Sequence, residues 1–422
     1  MKISKKNFVL EWLIVYFTSK ILWDRVVPNF FELLSLMVLL YGALSFFAAN
    51  IKKSKVTVLV YFLLCAYIVM DALFQDSQQQ LFRALYEYCF YFLMFFGMAY
   101  YINRSDIDHC LTIVNSWGVI VSLLSWIEYS RKSYILPNNF QQTIKSEYGF
   151  RSAVFTRSYL SHAMVLGFFA LISLYLYYRY CNKKYLFSCI LCASSVLTTS
   201  SRGPLVALVV SVIVFYYMNS MRVKKTISKE IVLLLGICLF FAVGLLFLNS
   251  TFITGNETVD YFLYRMRQIV NWSGDAGNVG RIGTWKLAFE WFKSNIWFGI
   301  GPSHTGSWGG DSIGVTESGY LKFLCELGLA GFSILSGYIF LIIREGAKCY
   351  QKLSKQRKLI AIFYLSISLL VMINNITVQS SEEIQVQFIW ALGMGGILNM
   401  PRLQRLQPDV NNVDKEGHNE KT

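Results

Sequence analysis

The chain has 422 residues, of which 55% are hydrophobic and only 15% charged, and its mean hydropathy is +0.44. An ordinary soluble domain carries about 25% charged residues, so this composition excludes a soluble enzyme. The net charge of +14 does not indicate nucleic-acid binding, because Lys and Arg cluster in short segments between apolar runs. That distribution is typical of membrane topology, and we expect no nucleic-acid partner.

The apolar runs predict an all-α, polytopic integral membrane protein with about 12 transmembrane helices, since one crossing needs about 20 residues. The predicted spans lie at about 7–23, 28–49, 56–75, 81–101, 109–128, 159–179, 185–200, 204–219, 231–249, 318–343, 358–378 and 384–400. Residues 1–400 would form one integral domain, followed by a polar tail at 401–422.

Most basic residues fall in cytoplasmic segments if both termini are cytoplasmic, as the positive-inside rule requires. This orientation leaves two long external loops, at about 129–158 and at about 250–317 between the ninth and tenth spans. The second loop contains residues 281–293, where aromatic residues recur at helical spacing. They predict an amphipathic helix that lies in the membrane interface or packs on the rest of the loop.

Several arginines face outward in this topology, and most of them lie in the two long loops. A guanidinium group binds phosphate through a planar fork of donors; the alternative is pairing with lipid headgroups or loop carboxylates. Arg202, in a tight polar turn before Pro204, and Arg281, directly after Gly280, are the strongest candidates. The outward arginines are Arg151, Arg157, Arg202, Arg265, Arg267 and Arg281.

Glu317 would lie at the outer mouth of the tenth span, where a carboxylate serves as a general base or caps the helix N-terminus. Lys322 and Glu326 are spaced i, i+4 within the same span and are expected to pair. The four histidines have no spacing typical of metal ligands, so we predict no metal site. The glycine-rich stretch 298–303 is interpreted as a turn.

Three motifs occur in order along the chain. They are residues 199–203 before a helix, residues 280–285 followed by 298–301, and residues 317–321 leading to 326–331. In these motifs, in the predicted helix count and in the large outer loop, the chain resembles the O-antigen ligase and polymerase superfamily. Those bacterial inner-membrane enzymes join lipid-linked glycans.

The resemblance implies a glycosyltransferase that needs no metal or cofactor and acts on undecaprenyl-diphosphate-linked oligosaccharides, both as donor and as acceptor. Arg202 and Arg281 would hold the diphosphate, with Arg157 as a further contact, and Glu317 would take the acceptor's proton. The lipid bilayer and a chain-length regulator protein are the other implied partners. Secondary site candidates are His304, Arg151, Arg265, Arg267 and Tyr320.

One departure from the family pattern bears on the reaction. Ligases that transfer O-antigen to lipid A core have His-Asn where Glu317-Ser318 stand here, whereas a Glu at this place resembles the repeat-unit polymerases of O-antigen and capsule synthesis. His304 is either the missing imidazole or an ordinary polar loop residue. A ligase and a lipid-linked-oligosaccharide flippase remain alternatives, although the sequence has neither the two related halves nor the interrupted helices usual in transporters.

Overall fold

The computed structural model describes residues 8–48, 55–74, 78–136, 150–223, 260, 276–306, 314, 316–379 and 382–405. The predicted ninth span at 231–249, the candidates Arg265 and Arg267, and the tail beyond residue 405 lie outside these ranges.

The fold is all-helical, as the apolar pattern predicts. Its helices are α1 (Phe8–Thr18), α2 (Lys20–Val26), α3 (Phe30–Ala48), α4 (Lys55–Leu73), α5 (Gln78–Ala84), α6 (Tyr91–Arg104), α7 (Ile107–Arg131), α8 (Tyr159–Tyr180), α9 (Lys183–Ser195), α10 (Arg202–Val223), α11 (Ala276–Ser294), α12 (Gly319–Tyr350), α13 (Lys355–Thr377), α14 (Ile384–Leu398) and α15 (Met400–Arg405). A π-helical turn, Leu85–Phe90, joins α5 to α6, and a 3-10 turn, Val196–Thr199, follows α9.

Within the described ranges, seven helices are long and apolar enough to cross a membrane, which makes the chain a multi-pass membrane protein: α3, α4, α7, α8, α10, α12 and α13. The other described spans are built from shorter pieces. The first, for example, is broken between α1 and α2, and the fourth contains the π-helical turn. The total of twelve therefore stays a prediction.

Helix α8 lies at the centre of the bundle and is buried along most of its length between α7, α9, α10, α13 and α14. By contrast, α3 and α4 expose large apolar side chains such as Leu33, Met37, Leu59 and Phe62. Exposed apolar faces of this kind suit contact with lipid chains. The bundle thus has a buried core around α8, while α3 and α4 lie at its apolar surface.

Helix α12 is interrupted at Gly328, whose φ of 60° and ψ of −171° break the helix. Backbone groups freed by the break pair with the glycine-rich stretch: Ile300 N–H donates to the Cys325 carbonyl at 2.8 Å and Leu329 N–H to the Ile296 carbonyl at 2.8 Å. A Cβ on Gly328 would stand 2.4 Å from the Trp297 carbonyl oxygen, so only glycine permits this approach. The stretch 298–301 is thus a turn whose backbone is also hydrogen-bonded to α12.

Helix α11 covers the predicted amphipathic stretch 281–293, so a helix is confirmed there. It packs on α12, where the Cys325 thiol donates to the Ala288 carbonyl at 2.8 Å. Leu287 and Phe289 stay exposed on the same helix. The helix therefore packs on the bundle with one face and leaves apolar side chains available for the membrane interface.

Candidate functional site

Three of the sequence-predicted arginines, Arg151, Arg202 and Arg281, line one small cleft, which we call the arginine cleft. They come from the loop before α8, the first residue of α10 and the second turn of α11. The cleft is completed by Tyr159, Leu160, Ser200, Ser201, Gly203, Thr377 and Val378. Segments far apart in sequence thus place three cations around one space.

The loop that carries Arg151 is fixed by a fully buried carboxylate, Glu128 in α7. The Ser152 hydroxyl and the Ala153 and Val154 N–H groups donate to Glu128 Oε2 at 2.9, 3.0 and 3.0 Å. Hydrogen bonds to a charged acceptor are among the strongest in proteins. The Arg151 guanidinium also stacks on the Tyr159 ring at 4.4 Å, which orients it at the cleft.

The turn that carries Arg202 is attached to the Arg151 loop through the backbone: Ser152 N–H donates to the Thr198 carbonyl at 3.1 Å. Arg202 begins α10, and Pro204 lies in its first turn as predicted. A Cβ on Gly203 would stand 2.7 Å from Thr377 Oγ1, so glycine lets α10 start directly against the end of α13. These contacts fix the position of Arg202 relative to Arg151.

Arg281 contacts Glu317 at the cleft: Nε of Arg281 lies 3.4 Å from Oε2 of Glu317. The Arg281 side chain is 26% exposed and that of Glu317 is 37% exposed, so both groups are accessible to a ligand. The second and third sequence motifs are therefore joined through an ion pair between a predicted phosphate-binding residue and the predicted base.

The backbone holds Glu317 in the left-handed region with φ of 54°, which is unfavourable for a residue other than glycine. Neighbouring hydrogen bonds fix this conformation. The Thr316 N–H and hydroxyl both donate to the Gln379 side-chain carbonyl at 2.8 Å, and the Thr316 hydroxyl also lies 2.8 Å from the Ser318 carbonyl. The Ser318 side chain caps α12. Glu317 is therefore presented by a rigid turn.

Behind this turn lies a buried group of charges centred on Lys322, which we call the Lys322 cluster. Its ammonium group lies 2.9 Å from Glu87, 2.8 Å from Glu382 and 3.8 Å from Glu326. The predicted pairing of Lys322 with Glu326 is confirmed, but the shorter contacts join α12 to two other parts of the chain. Gln379 connects the cluster to the Glu317 turn, because its amide donates to Glu382 at 2.6 Å.

Glu326 fastens the loop that carries His304. It accepts hydrogen bonds from the Ser303 and Thr305 N–H groups at 2.8 Å each, from the Thr305 hydroxyl at 2.6 Å, and from the Tyr88 hydroxyl. His304 itself has Nδ1 at 3.2 Å from the Gly301 carbonyl oxygen. The remaining secondary candidate, Tyr320, donates its hydroxyl to the Met372 carbonyl at 2.9 Å.

Arg157 lies apart from the three arginines of the cleft, in a second and much larger space of about 1160 Å³ that we call the charged cavity. Its lining includes Lys20, Asp24, Glu32, Glu87, Glu382 and Glu383. Because Arg157 lines this cavity and not the cleft, the structure does not bring it to the arginine cleft. Burial raises the pKa of the Glu383 carboxyl in the same cavity, and the positive charge of Arg157 opposes that rise.

No group of three His, Cys, Asp or Glu side chains in the described part of the chain has a geometry suited to a metal ion.

Three residues that position the site were not predicted from the sequence: Glu128, Gln379 and Glu382. Glu128 sits in an apolar run and binds a loop more than twenty residues away, so no local pattern marked it. For Gln379 and Glu382, the only sequence feature that points to the site is their position in the short polar segment between two predicted spans.

A family model described as O-antigen ligase matches residues 187–336, about a third of the chain. No curated protein matches the chain. The matched segment contains Arg202, Arg281, Glu317 and the interrupted start of α12. This match confirms, over that segment, the resemblance to the O-antigen ligase and polymerase superfamily, whose members process lipid-linked glycans.

Proposed function

We propose that this protein polymerises undecaprenyl-diphosphate-linked oligosaccharide repeat units at the outer face of a bacterial cytoplasmic membrane, with both termini in the cytoplasm. The observation that carries the proposal is the arginine cleft, in which Arg202 and Arg281 line one space and Arg281 contacts Glu317 at 3.4 Å. An anion-binding group and a carboxylate at one site are the two functions that glycosyl transfer from a diphosphate requires.

The side chains of the cleft suit a diphosphate because guanidinium groups bind phosphate oxygens bidentately and keep their charge at every physiological pH. The space between them is only about 20 Å³, so the arginine side chains would move apart to admit the diphosphate. Arg202 and Arg281 would hold the leaving diphosphate, and Arg151 lies at the same space to assist them. Removing one preorganised donor to a developing negative charge costs about 10²–10³ in kcat in well-studied enzymes. Loss of either principal arginine should therefore affect the chemical step.

In the proposed reaction, a hydroxyl oxygen of the acceptor repeat unit attacks the anomeric carbon of the donor's reducing-end sugar. The bond between that carbon and the diphosphate oxygen breaks, and its electron pair stays on the diphosphate. Glu317 accepts the proton of the attacking hydroxyl. The products are the lengthened glycan on the acceptor's carrier and free undecaprenyl diphosphate.

The Arg281–Glu317 contact gives donor binding a direct effect on the base. When a diphosphate enters the cleft, it competes with Glu317 for the same guanidinium group, since both ligands are anionic oxygens. Exchange of partners would release the carboxylate toward the acceptor hydroxyl. The base is thereby made available when a donor is bound.

A ligase that transfers the finished glycan to lipid A core is the second candidate, because the matching family model is described as O-antigen ligase. The Glu at position 317 favours the polymerase on the resemblance to repeat-unit polymerases. The flippase receives some support from the interruption of α12 at Gly328, a feature of transporter helices. Here, however, residues 296–301 fill the break with backbone hydrogen bonds.

The test is to incubate the purified full-length protein with one defined undecaprenyl-diphosphate-linked repeat unit in detergent or liposomes. We expect a ladder of products that grows by one repeat unit, without added metal. A single addition to purified lipid A core, with no ladder, would identify a ligase instead. Movement of the unchanged unit across a liposome membrane, with neither product, would identify a flippase.

A further inference from the structure

The charged cavity is the largest space described above, and its position relative to the arginine cleft indicates a use for it. Its volume of about 1160 Å³ exceeds the roughly 300–1,000 Å³ of pockets that hold drug-sized ligands. Its lining comes from α2, the start of α3, α5, the π-helical turn, Arg157 and the start of α14. It can therefore accommodate a ligand larger than a single sugar.

The cavity and the cleft are neighbours at one end of the helix bundle. One loop contributes Arg151 to the cleft and Arg157 to the cavity. On the other side, a single glutamine side chain spans the two sites, since Gln379 binds Thr316, next to Glu317, and also binds Glu382 in the cavity wall. A ligand in the cavity therefore lies close to the proposed reacting groups.

The charges of the two spaces differ. The cavity lining has four cationic residues, Lys20, Arg25, Arg83 and Arg157, and five acidic ones, Asp24, Glu32, Glu87, Glu382 and Glu383. Behind this lining, Lys322 contacts Glu87, Glu382 and one further acid, Glu326, so cations and carboxylates occur in nearly equal numbers, five and six. A wall of mixed charge offers many hydrogen-bond donors and acceptors without a strong field of one sign, which suits an uncharged polyhydroxylated ligand.

Several of the polar groups are held in place before any ligand arrives. Lys20 bridges Asp24 at 2.5 Å and Glu32 at 2.8 Å, and the Tyr86 hydroxyl donates to Glu32 at 3.2 Å. Aromatic side chains stand beside them: Phe82 is exposed, and the half-buried Tyr86 packs on the buried Tyr91 with ring centroids 4.9 Å apart. Apolar ring faces next to fixed polar groups match the alternating C–H and O–H surfaces of a sugar.

We infer that the charged cavity binds the oligosaccharide portion of a lipid-linked substrate, while the arginine cleft holds the diphosphate. The inference rests on the proposed function for the identity of the ligand. The ion pairs and aromatic faces would position the glycan so that the reacting sugar reaches Glu317. The two spaces thus divide the recognition of one substrate class between its anionic and its uncharged parts.

Binding is tested with a probe that has no diphosphate: the repeat-unit oligosaccharide released from its lipid by mild acid. The purified full-length protein is titrated with it, and binding is followed by saturation-transfer NMR. Ile21→Trp fills the cavity and should weaken binding at least tenfold. Phe82→Ala changes an exposed lining residue without threatening the fold and should weaken binding at least threefold. The matched control Val27→Trp, on an exposed residue beyond the lining, should bind as the wild type does.

Arg202→Lys separates this inference from the proposed function, because a glycan site predicts unchanged oligosaccharide binding even when polymerisation is lost. The inference is overturned if the wild type does not bind the free oligosaccharide, or if both cavity variants bind it normally. Failure of the wild type to polymerise, with binding intact, would count against the proposed function alone.

In the polymerisation assay with Ile21→Trp, equal slowing of every condensation assigns the cavity to the acceptor, whereas accumulation of short chains assigns it to the growing donor.

Discussion

The Nε atom of Arg281 lies 3.4 Å from Oε2 of Glu317, so one guanidinium group is shared between the proposed base and the space where a diphosphate would bind. Arg281 comes from the loop helix α11, whereas Glu317 precedes α12. The contact therefore joins the middle of the large loop to its C-terminal end, and it makes the affinity for an anion dependent on the carboxylate at position 317.

Glu317→Gln should bind inorganic pyrophosphate more tightly than the wild type. The anion no longer has to displace a carboxylate from Arg281, and a partly exposed ion pair contributes up to ~1 kcal/mol, equivalent to about fivefold in Kd. Isothermal titration of the purified proteins gives the comparison. Arg281→Gln should weaken pyrophosphate binding, and Glu290→Gln, on an exposed residue of the same helix, is the control. Weaker binding by Glu317→Gln would contradict partner exchange at Arg281.

Glu317→Gln should also abolish or nearly abolish polymerisation while the protein stays folded, since an amide cannot accept the hydroxyl proton. General-base catalysis contributes typically about 10²–10⁴-fold. The initial rate of product formation is measured with one defined lipid-linked unit, next to a thermal unfolding scan in detergent. A rate within about tenfold of wild type, equivalent to 1.4 kcal/mol, would exclude an essential base at this position.

Arg202→Lys should keep expression and membrane insertion but lose polymer, because an ammonium group cannot make the bidentate contact with a phosphate. The readout is the length distribution of the surface polysaccharide in cells, with protein amount checked by immunoblot. Arg131→Lys, at an exposed arginine in the last turn of α7, is the matched control and should give wild-type polymer. Polymer of normal length from Arg202→Lys would remove Arg202 from the diphosphate site.

The sequence predicts the helices well because a membrane span is a local property: a run of about 20 apolar residues is enough to predict one, whatever the rest of the chain contains. Spans such as α8 and α13 lie within a few residues of their predicted bounds. The contacts of the site depend instead on residues far apart in sequence. Neither the burial of Glu128 under the Arg151 loop nor the approach of Gln379 to Thr316 leaves a periodic signal.

The interruption of α12 illustrates the same limit. The apolar pattern of residues 318–343 predicts one continuous helix, because each residue is compatible with helix except for the glycines. The break at Gly328 depends on hydrogen bonds from residues 296–301 and on the Tyr67 hydroxyl of α4, which donates to the Leu327 carbonyl at 2.7 Å. Pairing between separate segments can be recognised only once they are placed side by side.

The predicted topology can be tested with single cysteines in a background without other cysteines. Ile135→Cys, after the end of α7, should react with a membrane-impermeant maleimide in intact spheroplasts. Lys352→Cys, between α12 and α13, should react only after the membrane is permeabilised. The orientation follows from the excess of basic residues in the segments assigned to the cytoplasm. The reverse labelling pattern would place the arginine cleft on the wrong side for an external lipid-linked substrate.

Gly328→Ala should destabilise the protein strongly, because the added Cβ would stand 2.4 Å from the Trp297 carbonyl oxygen at a residue with φ of 60°. Relief of that contact requires separation of residues 296–301 from α12, with loss of the hydrogen bonds that fill the break. Gly337→Ala in the same helix is the matched control. A Cβ there meets nothing within 4 Å, and alanine favours a helix interior over glycine by about 1 kcal/mol.

Thermal unfolding in detergent, followed by tryptophan fluorescence, compares the two variants, and we expect a lower Tm for Gly328→Ala and an equal or higher Tm for Gly337→Ala. Activity should fall with Gly328→Ala beyond its effect on stability, because the loop that carries His304 is bonded to Glu326 just before the break. Equal Tm values for the two variants would show that the close approach at Gly328 does not hold in the folded protein.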